Sequence, residues 1–188
     1  AQSAVEYIGS RGKYPAVIKA DGLALGKGVI IAGDFDQAQK AVREMMTDKL
    51  FGEAGSKIVV EEFLTGPEVS VLAFTDGQSI SPMVSSMDHK KALDGDMGLN
   101  TGGMGAIAPN PFYTEDCARY CMEHIFLPTL EAMNAEGRIF KGCLYFGLML
   151  TAQGPKVIEY NCRFGDPETQ AVLPLLKTPL IDVLEAVI

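Results

Sequence analysis

The segment VIEYNCRFGDPE (residues 157–168) carries residues whose types and spacing suit chemistry better than packing. In an extended chain Glu159 and Asn161 project to the same side and Arg163 follows at the same parity, while Ile158 and Tyr160 face the other way. A carboxylate, an amide oxygen and a guanidinium on one face contribute little to a core. They are well matched to a divalent cation and a polyphosphate, because Mg²⁺ takes hard oxygen ligands and Arg grips phosphoryl oxygens with two parallel N–H donors. A surface ion-pair network is the plain alternative. Asp166 and Glu168 add carboxylates near the same strand end, where they suit a cationic amine.

Three earlier segments carry comparable signals. In VIKADGLALGKGV (17–29), Lys19 lies inside an apolar strand, where an unpaired ammonium is costly. Either a salt bridge to a core carboxylate or a ligand phosphate satisfies it. The loop that follows has three glycines, Gly22, Gly26 and Gly28, together with Lys27, so its backbone N–H groups can approach an anion closely. It is not a Walker A loop: three residues separate Gly22 from Gly26 where that motif has four, and Gly28 stands where Ser or Thr is required. Nor is it a dinucleotide fingerprint, since no strand–turn–helix follows.

VVEEFLTGPE (59–68) reads as a strand ending in Glu61 and Glu62, then Phe63 and Leu64, then a Gly–Pro hinge. Main-chain groups at such a hinge suit the edge of an adenine ring, with Glu68 placed for ribose hydroxyls; a solvated acidic turn is the alternative. In DHKKALDGDMGLNTGGMG (88–105), Asp88 and Lys90 precede Asn100, Thr101, Gly102 and Gly103, a run rich in unobstructed N–H donors. That suits a phosphorylated or carboxylate substrate and equally suits a linker. His89 and His124 are the only histidines, and their contexts do not suggest a shared metal site.

The elements that must position these residues follow from periodicity. Residues 16–20 and 28–32 read as an antiparallel strand pair and residues 57–62 as a third strand. Asp34, with Gln37 three residues on, opens a helix with Phe35, Ala38, Ala41, Val42 and Met45 at helical spacing. Residues 68–75 and 78–83 read as strands around an Asp76–Gly77 turn. Residues 85–111 show no sustained period, and five of the eleven residues from 95 to 105 are glycine, which marks a long functional or mobile loop. Thr114, Glu115 and Asp116 open a helix expected to run to Ala135, bent or divided at Pro128. Residues 141–150 and 155–161 are two further strands, and two short helices close the chain, the last with Thr178 as N-cap and Pro179 as first helical residue. The fold class expected is α+β, with a small lobe over 1–62 and a larger one over 63–188.

The totals narrow the function. A chain of 188 residues with 47% hydrophobic content can bury a substantial core. Its net charge of −8 argues against nucleic acid as a partner, whereas a few local cations and a bound metal can still favour a small anion at one cleft. No apolar run approaches the roughly 18–20 residues of a membrane span and no secretory signal opens the chain, so a cytoplasmic location is expected. The four cysteines form no CxxC pair and are expected to be buried, reduced thiols.

Taken in order, VIKADGLALGKGV, EEFLTGPEVS, DHKKALDGDMGLNTGGMGA and VIEYNCRFGDPE resemble segments of the ATP-grasp superfamily, and within it the phosphoribosylamine–glycine ligases (glycinamide ribonucleotide synthetases). The resemblance implies an ATP-grasp fold, two α+β lobes with antiparallel sheets enclosing the nucleotide. It also implies ligation of glycine to 5-phosphoribosylamine through a glycyl phosphate, with ATP converted to ADP and phosphate. Lys19 would then meet the α- or β-phosphate, and Gly26, Lys27 and Gly28 would fold over the triphosphate. Glu61, Glu62, Phe63 and Leu64 would read adenine, and Glu68 would hold ribose. Glu159 and Asn161 would bind Mg²⁺ or Mn²⁺. Arg163, with Lys27, would stabilise the transferred phosphoryl group. Asp88, Lys90, Asn100, Thr101, Gly102, Gly103, Asp166 and Glu168 would shape the substrate site.

The sequence departs from the family pattern in three respects. The strand before the metal strand (YFGLML, 145–150) carries no acid, which implies one metal or an acid from elsewhere. Leu99 stands where proline is expected. The flanking domains of family members have no counterpart, so the chain is expected to be a piece of a larger ligase with weak nucleotide binding and little turnover. A non-catalytic nucleotide-binding module and another ATP-grasp carboxylate–amine ligase are the alternatives.

Overall fold

The computed structural model describes residues 1–24, 28–95 and 97–188, with backbone alone at 99 and 100. The chain divides into two compact units, Ala1–Leu64 and Thr65–Ile188.

The first unit is a three-stranded antiparallel sheet backed by helices. Strands β1 (Ala16–Ala20), β2 (Val29–Ala32) and β3 (Ile58–Glu62) take the order β2-β1-β3. Ile18 faces Ile30 on one side and Val60 on the other. That face buries Ile18 and Ala32 against Ile8 of α1 (Gln2–Arg11) and Ala38, Ala41 and Val42 of α2 (Phe35–Val42). The opposite face is apolar but open: Val29, Ile31 and Val59 are 47%, 56% and 40% exposed.

Helix α2 starts where Asp34 and Gln37 predict. Asp34 accepts from the Gln37 backbone N–H at 2.8 Å, and Gln37 Oε1 accepts from Gly33 N at 3.1 Å, so two otherwise unpaired donors are satisfied reciprocally. The helix runs on through a wider turn over Arg43–Thr47.

The second unit is built on a four-stranded antiparallel sheet. Its strands β4 (Glu68–Thr75), β5 (Ile80–Pro82), β10 (Gly142–Thr151) and β11 (Gly154–Asn161) take the order β11-β10-β4-β5. The intervening β6 (Met87–Asp88), β7 (Lys91–Leu93), β8 (Met97–Asn100) and β9 (Ala106–Ile107) form two small antiparallel pairs, β6 with β9 and β7 with β8. The expected irregular stretch over 85–111 is therefore ladder-paired. Its strands are two to four residues long, too short to leave a readable period.

Both faces of the central strands are covered, which is why β4 and β10 read as continuous apolar runs. One face packs Val69, Val71, Leu144, Phe146 and Leu148 against Cys121, Ile125 and Phe126. Those partners lie on α3 (Glu115–Cys121) and the wider turn Met122–Phe126 that joins it to α4 (Leu127–Ala135). The turn ends two residues before Pro128, which has no N–H to give to an ordinary helical ladder. The other face packs Leu72, Phe74, Cys143 and Tyr145 against Val172 of α5 (Glu168–Val172) and, more loosely, Leu180 and Val183 of α6 (Leu180–Val187).

Most expected boundaries shift by one or two residues, the division between units among them, and two of the shifts have a visible local cause. The β4–β5 connection spans residues 76–79, since Thr75 pairs with Ile80. The Asp76 carboxylate captures the Gln78 and Ser79 N–H groups at 2.9 and 2.7 Å and holds the chain in a longer turn. Helix α6 has Pro179 at its N-cap position with no side-chain cap, so Thr178 lies one residue outside. Among the described residues no helix is long and apolar enough to cross a membrane.

Candidate active site

Strand β11 delivers the acid and the amide together. Asn161 Nδ2 donates to Glu159 Oε1 at 3.3 Å, so the two side chains share one face as their parity predicts. The strand is nevertheless not regular. Gly147 of β10 pairs with Glu159 and Leu148 pairs with Val157, which leaves Ile158 as an extra residue in a bulge. Glu159 and Asn161 both lie beyond it and keep their common side. Tyr160 faces away, its ring 5.5 Å from that of Phe146.

Arg163 does not continue the series. The strand ends at Asn161, and Arg163 Nη1 turns back to donate to Phe164 O at 2.8 Å. The parity argument fails there because alternation belongs to extended backbone only.

Around Glu159 the second unit gathers charge. Lys90 Nζ lies 3.0 Å from Glu68 Oε2. Burial acts most strongly on Lys90 and lowers its pKa, but the Glu68 carboxylate, followed by Asp88 and Glu159, outweighs it and holds the ammonium above its usual range. The Asp88 pKa is raised by burial and then by Glu168, and among the described residues its buried Oδ1 has no hydrogen-bond partner. The expected ribose ligand Glu68 and the expected substrate ligand Lys90 are thus paired with each other.

The glycine run is fastened to the same place. Thr101 donates to Lys90 O through both its backbone N (2.7 Å) and Oγ1 (2.8 Å), and Gly103 N donates to Thr101 Oγ1 at 3.1 Å. Gly103 has φ +121°, and a Cβ there would lie 2.5 Å from Pro167 Cδ and 3.4 Å from Asp88 Oδ1. Glycine is required on both counts. Gly102 is exposed, and Asn100 lies in β8.

The two acids that follow have different surroundings. Asp166 is exposed and accepts from Gln170 Nε2 at 2.7 Å. Glu168 is only 3% exposed, and its Oε1 accepts from Ser70 Oγ at 3.0 Å and from Tyr145 Oη at 3.1 Å. Ser70, Tyr145 and Gly147 are not among the candidate site residues that the motifs supply. A serine and a tyrosine in otherwise apolar strands, and a glycine in the middle of one, were the available signals.

In the first unit, Lys19 Nζ lies 2.7 Å from Glu61 Oε2. Glu61, Glu62 and Phe63 also line a cavity of about 250 Å³ with Tyr7, Arg11 and Tyr14. Phe63 is exposed and Leu64, the last residue of the unit, is half-buried. Gly28 is buried, and its carbonyl accepts from Ala20 N at 2.8 Å. A Cβ there would lie 2.7 Å from Ala24 Cβ. Gly26 and Lys27 lie outside the described residues.

Among the described residues no group of three or more His, Cys, Asp or Glu side chains could hold a metal ion. Glu159 and Asn161 offer two hard oxygens when the amide turns its oxygen inward. That set fits Mg²⁺, which keeps several waters and completes its shell with phosphate oxygens.

Comparison with known proteins identifies the family. A family model described as "Phosphoribosylglycinamide synthetase, ATP-grasp (A) domain" matches residues 1–169. The chain is 52% identical over 187 residues to the trifunctional purine biosynthetic protein adenosine-3 of Gallus gallus, covering 100% of this chain and 19% of that protein. It is 52% identical over 173 residues to a phosphoribosylamine–glycine ligase of Caldanaerobacter subterraneus, covering 92% of this chain and 42% of the relative. A solved phosphoribosylamine–glycine ligase from Thermotoga maritima superposes with TM-score 0.85 at 34% identity over 96% of this chain and 46% of that one. A biotin carboxylase from Campylobacter jejuni shares the fold alone, with TM-score 0.74 at 15% identity over 100% of this chain and 39% of its own. The chain therefore spans less than half the length of these relatives. Matched over nine-tenths of its residues, it belongs to the phosphoribosylglycinamide synthetase ATP-grasp domain family.

Proposed function

We propose that the chain is the nucleotide- and metal-binding part of a ligase that joins glycine to 5-phosphoribosylamine, forming glycinamide ribonucleotide, ADP and phosphate in the cytoplasm. The observation that carries this reading is the Glu159–Asn161 pair beside Lys90 and Glu68, within a domain of that family.

In the reaction, a glycine carboxylate oxygen attacks the γ-phosphorus of ATP, and ADP leaves. The amine of phosphoribosylamine then attacks the acyl carbon of the resulting glycyl phosphate, loses a proton, and displaces phosphate. Neither step needs a protein nucleophile, so the residues act by positioning and charge neutralisation. Glu159 and Asn161 would hold Mg²⁺ or Mn²⁺, which when bound neutralises phosphate charge.

Lys90, kept protonated by its acidic neighbours, is placed to orient an anionic group. Asp88, Asp166, Thr101, Gly102 and Gly103 are assigned to the small substrates, with the N–H of Thr101 and that of Gly103 already engaged within the loop. The exposed Val29, Ile31 and Val59 offer an apolar surface for the base, with Lys19 on the same face for a phosphate. Gly26, Lys27 and Gly28 are assigned to the triphosphate, Glu62, Phe63 and Leu64 to adenine, and Arg163 to the transferred phosphoryl group.

Calorimetric titration of this chain with ATP, with and without Mg²⁺, tests the reading. Glu159→Ala and Asn161→Ala are each expected to remove about tenfold of the Mg²⁺-dependent gain in affinity. An unchanged titration in both variants would overturn the metal assignment. Glycine-dependent ADP release by this chain alone is expected to be slow, given its share of the relatives' length.

A further inference from the structure

Gly147 occupies the centre of a row running across three strands. It pairs with Ser70 of β4 on one side and with Glu159 of β11 on the other. The next row of like parity, two residues along, is Leu72, Tyr145, Asn161. Side chains of both rows project from the same face, because successive rows of like parity do. The backbone at Gly147 is not left-handed, so its conformation does not require glycine.

Space requires it. A Cβ on Gly147 would lie 3.0 Å from Glu159 Cγ, 3.3 Å from Tyr145 Cε1 and 3.4 Å from Glu159 O. The Tyr145 ring leans over Gly147, for its hydroxyl reaches Ser70 Oγ at 2.8 Å, and Ser70 stands in the Gly147 row, not the Tyr145 row. Glu168 Oε1 accepts from both hydroxyls, and all three residues are 5% exposed or less. Tyr145 is thereby tied at its far end to a second strand and to the first turn of α5. It cannot swing off Gly147 without leaving its own buried hydroxyl unpaired.

We propose that Gly147 is a positioning residue for the Glu159 carboxylate, acting together with the Ser70–Tyr145–Glu168 cluster that holds the Tyr145 ring against it. The notch left by the missing Cβ receives the Glu159 stem, the Tyr145 ring bounds it, and Asn161 holds the carboxylate head. In this arrangement Glu168 orients other residues and does not itself contact a substrate. The inference rests on the proposed metal site and adds the residues that give it a fixed geometry. Groups that orient metal ligands in this way are typically worth about 10–100-fold in metal affinity.

The test is Mn²⁺ binding followed by electron paramagnetic resonance, with and without ADP, alongside metal-free ADP affinity and thermal unfolding. Gly147→Ala is expected to weaken Mn²⁺·ADP binding by about tenfold or more while metal-free ADP affinity stays within about twofold. Tyr145→Phe, which keeps the ring and removes its tether, is expected to weaken it in the same direction by a smaller factor, and it serves if Gly147→Ala does not fold. Glu159→Ala separates the two levels of inference. If Glu159→Ala loses Mn²⁺ while the folded Gly147→Ala and Tyr145→Phe variants bind as wild type, the positioning role is wrong and the metal site stands. If Glu159→Ala itself binds Mn²⁺ normally, the metal site falls and this role with it.

Discussion

Lys19 and Glu61 meet at 2.7 Å on a diagonal across β1 and β3, since the direct partner of Lys19 is Val59 and that of Glu61 is Val17. Diagonal neighbours on one face of a sheet lie within reach of long side chains. The pair occupies the open face of the first unit, beside Val29, Ile31 and Val59. In the sequence alone, Lys19 suits either a salt bridge or a phosphate contact. The structure supplies the bridge, and the openness of the face keeps the second role available.

The first prediction follows from that geometry. Lys19→Met should cost about 1 kcal/mol of stability or less, as expected of a pair that stays partly in water. It should weaken ATP binding at least about tenfold, equivalent to 1.4 kcal/mol. Denaturant melts and ATP titrations of the same variant check this. Full ATP affinity in a destabilised Lys19→Met would reduce Lys19 to an ion-pair residue.

The second concerns the start of α2. Asp34 accepts from Gln37 N at 2.8 Å and from Gln37 Nε2 at 2.8 Å. Asp34→Ala should cost about 1 kcal/mol, the usual value of an N-cap. Hydrogen exchange should report faster opening of the first turn of α2, with ATP affinity unchanged.

Much of this architecture is legible in the sequence, and the exceptions have a common cause. Strands β1, β4 and β10 and the starts of α2 and α3 announce themselves through apolar runs and through Asp34 and Thr114, which act locally. Glu159 and Asn161 are legible as well, because two residues on one strand share a face without help from the rest of the chain. What the sequence does not reveal depends on a partner distant along it. Ser70, Tyr145 and Glu168 are separated by 75 and 23 residues and meet only through the β4–β10 ladder and the fold-back of α5. The pairing of Glu68 with Lys90 is of the same kind, and the β6–β9 and β7–β8 ladders are too short to leave a periodic trace.

The third prediction is a pH dependence. Hydrogen bonds from Ser79 N, then Gln78 N, then the Ser79 hydroxyl hold the Asp76 carboxyl at about 2, down from 3.8. The folded state therefore binds its proton later than the unfolded state does. The resulting stabilisation is complete above about pH 4 and is lost as pH falls through about 2. Asp76→Ala should melt at a lower temperature than wild type at pH 5, and the gap should narrow steadily on descent to pH 2. A gap that does not change with pH would mean the turn is held by its backbone shape alone.

The fourth prediction uses the cysteines. Burial pushes the Cys117 thiol up to about 12, with Cys121 adding to it, and pushes Cys143 up to about 11. Cys121 is also raised by burial, while Cys162 is exposed immediately after Asn161. Since the thiolate is the reactive form, a thiol at 11 is ionised to only about one part in a thousand at pH 8. An aromatic disulfide reagent at pH 8 should therefore titrate one thiol rapidly in the native chain and the other three only in denaturant. Cys162→Ser should abolish the fast phase. Because Cys162 adjoins the proposed metal ligands, saturating Mg·ATP should slow that phase while ATP with chelator slows it less. Equal rates with and without Mg·ATP would place the nucleotide away from the end of β11, and the function proposed for Glu159 and Asn161 would have to be withdrawn.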